Sequence, residues 1–88
     1  MTLTQLKLTE INLNNKSILA NVEIVKSVNA SGLTDVSIKV SALNLHGIYK
    51  LNNAIEASLN IDALVEIAKE DLLKQMKTTF EALSHILK

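Results

Sequence analysis

The spacing at which aliphatic side chains return changes once along the chain, near Asp62, and that change does most to restrict the fold. Before it, apolar and polar residues alternate, the period of an extended strand with one buried face. Thr4 to Leu13 carries Leu6 and Leu8, Ser17 to Val28 carries Ile18, Ala20, Val22 and Ile24, and Thr34 to Leu45 carries Val36, Ile38, Val40 and Ala42. After it, Leu64, Val65, Ala68, Leu72, Met76, Phe80, Leu83 and Leu87 recur at three- and four-residue steps, which places them along one side of a long helix. Strands followed by a single helix make an α+β class.

Punctuation comes from asparagine and serine, because proline is absent and glycine occurs only at Gly32 and Gly47. Breaks fall at Asn14-Asn15-Lys16-Ser17, Asn29-Ala30-Ser31-Gly32 and Asn52-Asn53, residues that tolerate the positive φ of tight turns. The expected architecture is an antiparallel meander of strands at about 3–13, 17–28, 33–45 and 45–51, packed on one C-terminal helix at about 62–87. Residues 54–60, with the odd-numbered series Ile55, Ala57, Leu59 and Ile61, read as a short extended or irregular piece, or as a fifth strand across Asn52-Asn53. A helix start at Asn53 with Glu56 is the competing reading of the same stretch, through a capping box. Asp62 is placed to cap the long helix, and Glu70 with Lys74 to form a pair on its solvated side. At about 1.5 Å per residue the helix is about 37 Å long and overhangs strands of about five to seven residues.

A chain of 88 residues with 30 Leu, Ile or Val forms one domain, being too short for two cores and too apolar for a disordered tail. Nine lysines balance nine carboxylates, there is no arginine, and Tyr49 and Phe80 are the aromatic residues. Neither a basic footprint nor a stacking platform for nucleic acid is present. The absence of cysteine excludes disulfides and thiolate chemistry. Apolar runs are short, and Met1 to Gln5 lacks the basic start of a signal peptide, so a soluble cytoplasmic chain with no membrane partner is expected. Lysine without arginine, with nine asparagines, is the usage of an AT-rich genome such as a low-GC bacterium or its phage.

The apolar surface exceeds what one helix covers. The even-numbered side of the three meander strands is the better apolar face and is expected to meet the helix. Strand one changes phase at Thr9-Glu10, so Ile11 and Leu13 are odd; strand three changes at Ala42, so Leu43 and Leu45 are odd, as is Leu19. Two readings stand open: a β-bulge at each change that returns these side chains to the core, or a patch of Ile11, Leu13, Leu19, Leu43 and Leu45 on the reverse side. Such a patch, at about 1.5 to 3 kcal/mol per side chain, calls for a partner or a twin subunit to cover it. Self-association, as a dimer or tetramer, is therefore expected.

Chemistry is sparse. His46 and His85 have no acid cluster, whereas a stable zinc site wants three or four ligands; His85 after Glu81 reads as a surface pair near the helix C-terminus. Ser17, Ser41 and Ser84 lack a nucleophile elbow, and isolated glycines make no phosphate loop. Glu66, Glu70 and Asp71 read as a solvated helix side, Met76 and Phe80 as core, and Tyr49 as an amphipathic filler near a binding or assembly surface. No catalytic residue, metal or cofactor is expected.

Two stretches carry a family resemblance. Leu6-Lys7-Leu8-Thr9-Glu10-Ile11-Asn12-Leu13 with Ser17-Ile18 resembles the first strand of SecB-like export chaperones. Gly47-Ile48-Tyr49-Lys50-Leu51, with Leu59-Asn60-Ile61-Asp62-Ala63 leading into a helix, is similar to their fourth strand and helix start. The resemblance covers about a quarter of the chain. Ile67-Ala68-Lys69-Glu70 stands where the family carries an aromatic-proline segment, and the sequence ends where a second helix would follow. The resemblance implies a sheet-and-helix subunit that assembles into dimers or tetramers and holds extended polypeptide in apolar grooves, with Leu19 and Tyr49 near that surface. Two functions are thus expected: a non-enzymatic oligomeric module binding another protein or unfolded polypeptide, or a small phage-type regulatory factor that sequesters one target. An aliphatic interface between subunits would also suit a small molecule.

Overall fold

The structure is a computed structural model describing residues 2–13 and 15–86, with side chains through Thr79. Four strands, β1 (Thr2–Leu13), β2 (Lys16–Val28), β3 (Thr34–Ala42) and β4 (Leu45–Ala54), form one antiparallel sheet in the order of the chain. A 3-10 turn at Glu56–Ser58 leads to a single helix, α1 (Ile61–Ile86). This is the expected α+β meander backed by one C-terminal helix. The described residues contain no fifth strand, because the chain turns at Glu56 instead of pairing.

Asparagine makes the tight turns. Asn15 has φ +65°, and the β3–β4 connection is a two-residue loop, Leu43-Asn44, with φ +52° and +66°. Positive φ at both central residues matches the twist of a hairpin. Between β2 and β3, the Asn29 side-chain oxygen accepts the amides of Ser31 and Leu33 at 2.9 and 3.2 Å, and Gly32 supplies φ +78°. Near Thr34 and Val36 the β3–β4 register shifts. There Asn53, at φ +60°, donates its amide to the Asp35 carboxylate at 3.0 Å.

Helix α1 begins under Asn60, whose side chain accepts the Ala63 amide at 3.3 Å. Asn60 is therefore the cap, and Asp62 lies inside the first turn, where a carboxylate favours the helix dipole. Among the described residues the helix ion pair is Glu66 with Lys69 at 3.2 Å, not Glu70 with Lys74. With 12 and 13 residues, β1 and β2 are about 41 and 44 Å long and match a helix of about 39 Å. The expected overhang rested on shorter strands.

The core lies between sheet and helix. Ile24, Ile38, Val22 and Val40 meet Ala68, Leu72 and Met76, all essentially buried. Gly47 lets the helix sit this close: a Cβ there would fall inside contact distance of the Ala68 carbonyl and 2.8 Å from Leu72 Cβ. The helix lies chiefly over β4 and β3, which leaves β1 at the uncovered flank.

Candidate functional site

The hairpin register decides what each strand presents. Leu13 pairs with Lys16 and Ile11 with Ile18, and the pairing runs unbroken to Thr2 opposite Ser27. Residues directly opposite share a face, so the buried even series Ala20, Val22, Ile24 shares its face with the odd residues Thr9, Lys7, Gln5 of β1. No bulge interrupts β1. Its helix-facing residues are odd throughout, and Leu6 and Leu8, expected in the core, lie on the opposite side, 75% and 67% exposed.

The five-residue reverse patch is accordingly replaced. Ile11 and Leu13, 3% and 4% exposed, are core residues. Leu45 begins β4 opposite Ala42 and packs half-buried against the core. Tyr49, opposite Ile38, does the same. Leu43 is exposed at the tip of the β3–β4 turn, where its positive φ takes it out of the strand. Leu19 alone of the set stands on the reverse face of a strand, 66% exposed. Its register partner is Glu10, so it is the diagonal neighbour of Leu8. The apolar strip of that face is Leu6, Leu8 and Leu19, along β1 and the adjoining part of β2.

Towards the middle of the reverse face the character changes. Glu23 stands opposite Lys39, and Asn21 opposite Ser41, with Ile48 and His46 beyond them on β4. The leucine strip thus ends at a polar middle, with Ile48 the exposed aliphatic on the far flank.

The two edges of the sheet differ in their main-chain partners. Alternate amides and carbonyls of an edge strand have no partner in their own sheet. On β4 the helix supplies two of them: the Ile48 amide donates to Asp71 Oδ2 at 3.1 Å, and Gln75 Nε2 donates to the His46 carbonyl. Asp71, expected to be merely solvated, thereby caps this edge at Ile48. Among the described residues no side chain bonds the outer main chain of β1.

Among the described residues no three His, Asp or Glu side chains gather as metal ligands, and no described helix is long and apolar enough to cross a membrane. His46 is exposed on the reverse face opposite Ser41; the side chains of His85, Ser84, Glu81 and Phe80 lie outside the described residues. What this surface offers is aliphatic contact and main-chain hydrogen bonding. In comparisons with protein-family models, curated proteins and solved structures, nothing matched the chain.

Proposed function

We propose that the chain is a non-enzymatic, self-associating protein-interaction module that holds extended polypeptide against the leucine strip of its sheet, as the SecB-like export chaperones it resembles do. The carrying observation is the strip itself. Leu6, Leu8 and Leu19 are mostly exposed and adjacent, and solvent contact of that much branched aliphatic surface is unfavourable by about 25 cal/mol per Å². Extended polypeptide suits it, because alternate side chains of a bound strand point to one face and meet aliphatics in a row.

Such a module suppresses the aggregation of several unrelated unfolding proteins at near-equimolar ratio, as read by light scattering. Changing Leu6 and Leu8 together to serine abolishes the suppression while leaving the circular dichroism spectrum intact. Suppression undiminished in that double variant would remove the reading. Tight binding to one folded target, with no effect on unfolding proteins, would replace it by the sequestering factor.

A further inference from the structure

The helix does not roof its side of the sheet along the whole length. It lies chiefly over β4 and β3 and begins only at Ile61. At the end of the sheet where β2 turns into β3, the 3-10 turn reaches across instead, and Glu56 Oε1 accepts a hydrogen bond from Lys26 Nζ at 3.1 Å. There a cavity of about 310 Å³ opens, at the small end of the range of about 300 to 1,000 Å³ in which small molecules are held. Register brings its strand residues together. Leu3 stands opposite Lys26, and Val28 opposite Thr34. Residues directly opposite share a face, and these four continue the side on which Val22, Ile24, Val36 and Ile38 are buried. Gly32, at φ +78°, lines the cavity at the turn.

The lining has two characters. Leu3 and Val28 are aliphatic walls, 64% and 53% exposed. Thr34 is the buried polar residue of this side, 4% exposed. Among the described residues its hydroxyl has no hydrogen-bond partner, yet no fully sealed polar side-chain atom is left unpartnered, so the hydroxyl keeps contact with the cavity that Thr34 lines. A buried hydroxyl ordinarily has a partner. Lys26 and Glu56 stand together at the rim as an ion pair. An ammonium has three donors, and the contact with Glu56 uses one.

We infer that this cavity binds, one molecule at a time, a single-chain aliphatic compound whose uncharged head both donates and accepts hydrogen bonds, as a medium-chain alcohol or primary amide does. The tail lies between Leu3 and Val28. The head accepts from Lys26, donates to Glu56 and partners the Thr34 hydroxyl. The rim selects against charge, because a carboxylate head meets Glu56 and an ammonium head meets Lys26, and repulsion of the wrong ligand is a source of specificity. The cavity is on the helix side and the leucine strip on the reverse side, so this site does not rest on the holding function.

Amide-resolved NMR of the isotope-labelled chain tests the site, with 1-octanol as the probe. Octanol should shift the amides of Leu3, Lys26, Val28, Thr34 and Glu56 saturably and together, and spare those of Leu8 and Leu19. Hexanol, two methylenes shorter, should bind about tenfold more weakly. Octanoate and octylammonium carry the same tail and should bind at least about fivefold more weakly than octanol. Thr34→Val keeps the shape and removes the hydroxyl; it should weaken octanol about three- to tenfold. Glu56→Gln should strengthen octanoate while leaving octanol within about twofold, since it removes the charge and keeps a polar partner. Shifts centred on Leu6, Leu8 and Leu19, or no saturation up to the solubility of octanol, would overturn the site. Octanoate or octylammonium binding as tightly as octanol would overturn the uncharged head, as would octanol affinity unchanged in a folded T34V. If T34V does not fold, the head-group and chain-length comparisons on the unmodified chain decide.

Discussion

At β4, the helix places Asp71 and Gln75 against the outer main chain and Leu72 against Gly47; at β1 the outer main chain has no such partner among the described residues, and Leu3, Leu6 and Leu8 face solvent. The difference begins with one missing side chain. Gly47 draws the helix onto β4, and a single helix that close to one flank cannot also roof the far half of the other. Thr2 to Leu8 is exposed as a result, while Ile11 and Leu13 are buried with Met76 in the core. One edge of the sheet is partly capped by its own helix, and the other has no such cap among the described residues.

Gly47→Val tests that origin and carries the largest expected effect. Its Cβ overlaps helix main chain instead of a movable side-chain end, so the helix must lift. A loss of more than about 3 kcal/mol is expected, a large share of the roughly 5 to 15 kcal/mol available to a domain. Urea unfolding reads it directly. A midpoint like that of the unmodified chain would show that the helix does not depend on this close approach.

The two halves of β1 provide the next contrast. Ile11→Ala leaves a cavity under the helix and should lower stability by about 2 to 3 kcal/mol. Leu6→Ser, on the exposed half, should change it by less than about 0.5 kcal/mol and act on binding instead. Equal losses at the two positions would mean that Leu6 is covered in the free chain.

The fold was legible because its signals are local. The change of period at Asp62, the asparagine turns and the length of the helix come from neighbouring residues. Which side of β1 meets the helix differs from the expectation, although the sequence carries that information. Leu13 pairs with Lys16, so an odd residue of β1 always opposes an even residue of β2. Given that Ala20, Val22 and Ile24 are core, Leu6 and Leu8 must point outward. The leucine pattern within β1 points the wrong way, whereas the parity across the turn fixes the buried face. The same arithmetic at Leu43-Asn44 places Gly47 and Tyr49 inward. The closing of β4 by Asp71 and Gln75 carries no such signal, since it depends on the height at which the helix crosses the strand.

Asp71 sharpens the comparison at a smaller scale. Asp71→Ala should cost about 0.5 to 1 kcal/mol and accelerate hydrogen exchange of the Ile48 amide several-fold; Asp71→Asn, which keeps an acceptor, should restore most of the protection. Exchange unchanged in the alanine variant would mean that this edge is protected by burial and not by the carboxylate.

The smallest effect belongs to the segment between β4 and the helix, where Glu56 meets Lys26 at 3.1 Å. Lys26 is the register partner of Leu3, so this ion pair sits beside the β1 flank and, among the described residues, is the ion pair placed to stiffen it. The Glu56 side chain is 60% exposed, and a solvated pair gains little Coulomb energy while it restrains two long side chains. Glu56→Gln should therefore shift the urea midpoint by less than about 0.5 kcal/mol equivalent, and the shift should disappear in high salt. A larger, salt-resistant loss would show that the open flank is held in place by its own chain, and the contrast between the two edges would then be one of degree.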